Sequence, residues 1–188
     1  MKRVTVSMSV SLDGFIVGPD GGFDWAPPDE EEFGAFLDEL RGVDVHLLGR
    51  RLYETMSSWE DPDQAGSWDA AEQEWAERWR QLPKVVFSRT LSSVTGTNTR
   101  LATDGVAEEV ARLRDEPGDG EIAVGGADLA ASAAEHDLVD EYRLRVCPVL
   151  VGGGRPFFPR GERQVGLELL STRTFRTGAV ALRYAVRR

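Results

Sequence analysis

Residues 121–151 read EIAVGGADLAASAAEHDLVDEYRLRVCPVLV. Pro117-Gly118-Asp119-Gly120 breaks the chain in front of this stretch, and Glu121–Val124 then reads as a short strand. Gly125-Gly126 opens a helix over Ala127–His136, and Asp140–Val151 reads as a long strand. Strand, glycine turn, helix and strand in that order is the pattern of an α/β sheet with crossover connections.

The same alternation extends toward the N-terminus. Val4–Val10 reads as a strand that runs into Asp13-Gly14, and Gly18-Pro19-Asp20-Gly21-Gly22 places a loop over roughly 13–28. Asp29 is suited to cap a helix to about Arg41, with Phe33, Phe36, Leu37 and Leu40 as a core stripe. Val43–Leu48 is a strand ending in Gly49-Arg50, with a helix over Arg51–Ser57. Trp68, Ala71, Trp75, Trp79 and Leu82 share one helical face that Pro83 ends, and this spacing reads as packing. Lys84–Ser88 and Thr99–Ala102 are strands, and Val106 to about Arg114 is a helix. The C-terminal fifty residues change character. Val165–Phe175 and Val180–Val186 alternate across Thr177-Gly178 as a hairpin. The expected fold is one α/β domain over residues 1–188: a mixed, mostly parallel sheet with helices on both faces and a C-terminal antiparallel hairpin.

Composition narrows the function. With 41% hydrophobic and 29% charged residues the chain is that of a globular protein, not a disordered one. Its apolar runs are a handful of residues long, against about 20 for a membrane helix. The N-terminal MKRVTVSMSVSLDGF is interrupted by Ser and Asp before a signal core develops, so a first strand in the cytoplasm is expected. One cysteine, Cys147, and two distant histidines, His46 and His136, give no metal-ligand spacing. His46 reads as a buried, satisfied histidine, His136 as a helix-end residue and Cys147 as an inert core thiol. The net charge of −10 argues against nucleic acid or an anionic membrane as partner. The charge is unevenly spread: Val4–Leu40 holds nine acids and no Lys or Arg, whereas Val139–Arg188 holds ten Arg against four acids. Either these are solvated faces, or they are two walls of a cleft.

Three strand ends carry turn residues suited to one ligand: Gly49-Arg50-Arg51, Ser88-Arg89-Thr90 and Gly125-Gly126-Ala127. Ligands of open α/β sheets bind outside the carboxyl ends of the strands, where helix N-termini present unpaired N–H groups. Glycine lets backbone approach a phosphate, and arginine grips phosphate oxygens in pairs. The set reads as a polyphosphate site on an acidic protein. Neither G-x-G-x-x-G after the first strand nor G-x-x-x-x-G-K-[ST] is present. Gly152-Gly153-Gly154 has the look of a phosphate cradle, but it follows a late strand and precedes Pro156 instead of a helix, so it reads as a tight turn or bulge that could still border the cleft.

SMSVSLDGFIVGPDGGFDW, LLGRRLYETM, KVVFSRTL and IAVGGADLAASAAEHDLVDEYRLRVCPVLVGGGRPFF, in this order, resemble the dihydrofolate reductase-like family. The branch resembled is the C-terminal reductase domain of the bifunctional riboflavin-biosynthesis deaminase-reductase. The resemblance implies an NADPH-dependent reductase, with 5-amino-6-(5-phosphoribosylamino)uracil reductase activity as the branch's chemistry. It implies that Gly49, Arg50 and Arg51 meet the cofactor phosphates, that Ser88 and Arg89 meet the adenosine 2′-phosphate, and that Gly125, Gly126, Ala127, Asp128 and Leu129 wrap the pyrophosphate. Ser9 and Ile16 would flank the nicotinamide. Leu52 departs from the threonine common at its position. Counting from Trp25 to the acid that handles the pterin in dihydrofolate reductases reaches Glu30, with Asp13 and Asp24 as rivals. Trp25, Phe33 and Tyr53 are candidates to line an aromatic substrate pocket, Phe33 reading equally as core. The resemblance also implies a homodimer that protects the C-terminal sheet edge. A zinc deaminase half is excluded within this chain by its single cysteine. Two alternatives stay open: a true dihydrofolate reductase, and a non-catalytic nucleotide- or ligand-binding protein.

Overall fold

The computed structural model describes residues 1–25, 27–61, 63, 65–158 and 164–188. In chain order these form β1 (Val4–Ser11), β2 (Phe15–Val17), α1 (Glu30–Arg41), β3 (Val43–Gly49), α2 (Arg50–Met56), α3 (Ala70–Gln81), β4 (Lys84–Phe87) and β5 (Thr99–Leu101). There follow α4 (Val106–Asp115), β6 (Glu121–Gly125), α5 (Ala127–Glu135), β7 (Glu141–Cys147), β8 (Arg155–Pro156), β9 (Leu167–Thr174) and β10 (Val180–Val186).

The helix starts follow from local chemistry. Asp29 and Asp69 each close a capping box, with Glu32 and Glu72 respectively, so α1 and α3 begin with their first N–H groups satisfied. Eight strands form one sheet in the order β5-β4-β3-β6-β1-β7-β10-β9. Its members from β5 to β7 run parallel, and β10 and β9 close it antiparallel.

Strand alternation gives the two faces of this sheet different characters. Val4, Val6, Val45, Leu47, Ile122 and Val124 point to one face, where Val110, Leu113, Leu129 and Ala133 of α4 and α5 complete the larger core. On the other face Leu48 and Val86 pack with Leu40 of α1 and with Trp79 and Leu82 at α3. Helices therefore cover both faces. The second face turns polar toward the C-terminal strands, because Ser7 and Ser9 stand in register with Arg143 and Arg145. Arg143 is held by Glu121 and Glu141, both at 2.7 Å. The acidic N-terminal segment and the basic C-terminal one thus bond directly across α1 and the sheet, Glu32 to Arg145 at 3.2 Å and Glu31 to Arg173 at 2.8 Å.

Three sequence expectations need correction. The strand expected over Asp140–Val151 ends at Cys147, since Pro148 has no N–H to continue the ladder. The segment after it folds back so that β8 pairs with β2, a strand inside the region expected to be loop. The expected core stripe of α1 is buried at Leu37 and Leu40 but only half-buried at Phe33 and Phe36.

Candidate functional site

Because β1, β3, β4 and β6 are parallel, their carboxyl ends share one edge of the sheet. Gly49 and Gly126 adjoin there, each as the N-cap of the helix that follows it. Gly126 has φ +97°, which L side chains rarely adopt, and a Cβ on it would lie 3.5 Å from the Gly49 Cα. At the end of β4, Ser88 Oγ accepts the N–H groups of Thr90 and Leu91 at 3.1 and 3.0 Å. Ser88 thus shapes the turn that carries Arg89. Arg89 and Arg51 are exposed, and neither has an ion pair among the described residues. Arg50 differs, being paired with Glu54 at 3.0 Å. Leu129 packs into the larger core, so it supports the turn from behind. Leu52 packs into the second core.

A cavity of about 500 Å³ opens where Arg51, Ala127 and Asp128 meet Gly18, Gly154 and Arg155. Its far wall is the Val17-Gly18-Pro19 turn with Gly154, the last glycine of the triple-glycine loop, and the residues that follow it. Asp13 holds this loop by accepting N–H groups of Gly152 at 2.8 Å and Val151 at 3.2 Å, with Ser11 Oγ at 2.6 Å. These donors hold the Asp13 carboxyl below the usual carboxylate range. At Gly154, φ +109°, a Cβ would collide with the Val17 carbonyl, so glycine is what allows β8 to lie against β2. Ile16, on β2, packs against the larger core.

Of the neighbouring acids at the start of α1, Glu30, the one reached by counting, and Glu32 are placed differently. Glu30 is exposed and borders a separate surface cavity of about 430 Å³ with Arg173 and Arg176. Glu32 is fully buried instead. One of its oxygens receives Arg145 Nε at 3.2 Å and Thr177 Oγ1 at 2.6 Å, and the other receives the Asp29 N–H at 3.0 Å. Arg145 also donates to Ser9 Oγ at 3.3 Å, and its guanidinium lies 5.6 Å from the Phe36 ring centre. Sequence reading missed both residues, although Glu32 stands at the N3 position of a capping box and Arg145 alternates inward between Leu144 and Val146. Asp24 is exposed.

Phe33 belongs to an aromatic cluster, 5.6 Å from Trp75 and 6.1 Å from Trp59, with Trp68 5.4 Å from Trp59. Trp59 was not anticipated, and Trp68 stands before the cap of α3, outside the helix face expected to contain it. Tyr53 packs against the second core, and its hydroxyl accepts the Thr95 N–H at 2.9 Å. Trp25 is half-buried, and its indole N–H is enclosed without a partner among the described residues. His46 stands edge-on to Trp79 at 5.5 Å. Its Nδ1 is enclosed and unpartnered among the described residues, which corrects the expectation of a satisfied histidine. Burial, with the nearby Lys84 charge, pushes its pKa down to about 4. His136 is the C-cap of α5, and Cys147 is fully buried, which raises its thiol pKa. No described helix is long and apolar enough to cross a membrane.

The family model described as the RibD C-terminal domain matches residues 2–181. Two uncharacterised proteins of Bacillus subtilis are similar throughout. YyaP is 33% identical over 187 residues, covering 97% of this chain and 94% of its own. YwjB is 30% identical over 186 residues, covering 98% of each. Among solved structures, a putative riboflavin biosynthesis protein from Shewanella sp. PV-4 superposes with a TM-score of 0.79 at 22% identity, over 99% of both chains. A diaminohydroxyphosphoribosylaminopyrimidine deaminase/5-amino-6-(5-phosphoribosylamino)uracil reductase from Thermotoga maritima superposes with a TM-score of 0.69 at 14% identity, over 99% of this chain and 57% of that one. At these identities the two structures establish the shared fold.

Proposed function

Since the chain belongs to the RibD C-terminal domain family, we propose that it is a cytoplasmic NADPH-dependent reductase of a small heteroaromatic, imine or carbonyl compound, as in the riboflavin pathway. The observation that carries the reading is the exposure of Arg51 and Arg89, without acidic partners among the described residues, in a chain of net charge −10. Arg51 lies in the first turn of α2 behind its Gly49 cap, and Arg89 on the turn after β4, both at the strand edge where α/β sheets bind ligands. Unpaired guanidinium groups beside such turns suit a polyphosphate, so the residues present fit the dinucleotide that the family resemblance implies.

In this reading Arg51 and the turn at Gly126 and Ala127 hold the pyrophosphate, and Arg89 the 2′-phosphate. Ser9 and Ile16 flank the nicotinamide. Bound NADPH supplies the hydride. The buried Glu32–Arg145 pair positions Ser9: Arg145 donates to its oxygen, which leaves the Ser9 hydroxyl proton to point elsewhere. Glu32 is enclosed and already accepts from three donors, so it acts by holding Arg145 and Thr177. The Phe33–Trp59–Trp75 cluster, whose rings are tilted to one another, offers aromatic faces against which a ring substrate can pack.

The test is NADPH titration followed by NADPH oxidation with a panel of aminopyrimidines, dihydropterins, dihydrofolate and cyclic imines. Turnover of a ribitylated or phosphoribosylated aminopyrimidine supports the riboflavin-like reading. Turnover of dihydrofolate alone makes the protein a dihydrofolate reductase. NADPH binding without turnover of any compound leaves a ligand-binding protein.

A further inference from the structure

We propose that Arg155 is an anion-binding residue of the α5 cavity and that Asp128 is its resting partner, which a phosphate-bearing ligand must displace. The inference rests on the cofactor reading above and changes the part Asp128 plays in it: from a residue that wraps the pyrophosphate to one that competes with it.

Arg155 comes from β8 and Asp128 from the first turn of α5, and their side chains are ion-paired across the cavity that Arg51 also lines. An acid at that helical position does two things for the free protein. It complements the partial positive charge of the helix N-terminus, and it neutralises the guanidinium opposite. An incoming phosphate needs those same two charges. The carboxylate therefore occupies, electrically, the place an anionic ligand would take.

The two partners are unequally held. The Arg155 side chain is 28% exposed, and its backbone is fixed by the β2–β8 pairing and by the contact of Gly154 with Val17. The Asp128 side chain is 88% exposed. When the pair opens, Asp128 swings into water at little cost, since an ion pair this exposed is weak. Arg155 stays at the cavity wall and meets the ligand together with Arg51. The arrangement keeps the site from retaining small stray anions while still admitting a ligand with more charge and more contacts.

The experiment is calorimetric titration of the whole chain with inorganic pyrophosphate and, separately, with NADPH, at fixed ionic strength. The proteins compared are the wild type, Asp128→Asn, Arg155→Met and the double variant, with thermal melts verifying that each is folded. Asp128→Asn should tighten both ligands about three- to tenfold, a gain that a purely structural acid would not give. Arg155→Met should weaken both by roughly tenfold. In the Arg155→Met background the gain from Asp128→Asn should shrink to less than about twofold. Equal gains in both backgrounds would mean that Asp128 acts by repulsion alone, and the exchange would be wrong. Unchanged or weaker binding by Asp128→Asn overturns it as well. If Arg155→Met does not fold, Arg155→Lys takes its place, and unchanged binding there counts against the paired geometry. Should the wild type bind NADPH while the variants match it, the exchange alone fails. Should it bind neither ligand, the cofactor reading fails with it.

Discussion

Arg89 separates a dinucleotide site from a generic anion site at the scale of one side chain. It is exposed on the turn that Ser88 shapes and has no ion pair among the described residues. A hydrogen bond to a charged group is worth about 1.5–3 kcal/mol, or roughly 10- to 150-fold in affinity. Arg89→Ala should weaken NADPH by that factor and leave NADH nearly unchanged, which paired dissociation constants measure directly. Equal weakening of the two would move the 2′-phosphate contact to Arg51. Gly126 makes a second residue-scale prediction. Its φ of +97° costs an L residue roughly 1–2 kcal/mol, and a branched side chain would also stand in the phosphate's approach. Gly126→Val should lower the melting temperature and weaken NADPH by about tenfold or more, because a charged contact is lost. A folded variant with wild-type affinity would refute the pyrophosphate assignment.

Between elements, the buried Glu32–Arg145 pair ties α1, β1, β7 and the β9–β10 turn together through Ser9 and Thr177. Removing one member strands the other charge. Arg145→Met should destabilise the fold by about 3–5 kcal/mol, whereas Glu32→Met with Arg145→Met should recover much of this, less the lost capping box. Denaturant unfolding of the three proteins decides it, and equal stability of the single and double variants would show that the pair is not coupled. His46 adds a pH dependence. Its pKa lies near 4 in the folded chain against about 6.5 when unfolded, so between these values the unfolded state binds more protons and folding is favoured by rising pH. Stability should fall by about 1–3 kcal/mol from this residue as pH drops from 6.5 to 4. His46→Leu should flatten that part of the curve while the acid loss from carboxylates such as Glu31 and Glu141, whose pKa values are lowered by their arginine partners, persists.

For the molecule as a whole, the C-terminal end of the sheet exposes apolar side chains on its edge strand. Tyr142, Tyr184 and Leu169 lie in register on one face, with Leu144 beside Leu182 and Val186 beside Leu167. Leu167 and Leu169 are exposed at 37% and 52% on the edge strand. An edge strand with apolar exposure invites pairing, which supports the proposal of a homodimer that covers this end. Light scattering at micromolar concentration should give a dimer mass for the wild type and a monomer mass for Leu169→Glu. A monomeric wild type would remove the proposal.

Strand–turn–helix order, the capping acid Asp29 and the glycine turns at 49 and 126 could all be read from the chain, because each depends on neighbours within a few residues. The pairing of β2 with β8 could not, since strands of three and two residues carry no periodicity and are joined only by register across the fold. The same limit explains the acid on α1. Glu30, Glu31 and Glu32 are the same residue type in a row, and although the capping box marks Glu32, only the packing of the helix over the sheet sends Glu30 into solvent and Glu32 onto Arg145. The opposite charges of the two chain ends were plain from composition, but their direct bonding across α1 was not. Local chemistry determined where the backbone turns and which residues can cap it. Which carboxylate meets which guanidinium was decided by packing, because a charge finds its partner by distance in space and the sequence holds only distance along the chain.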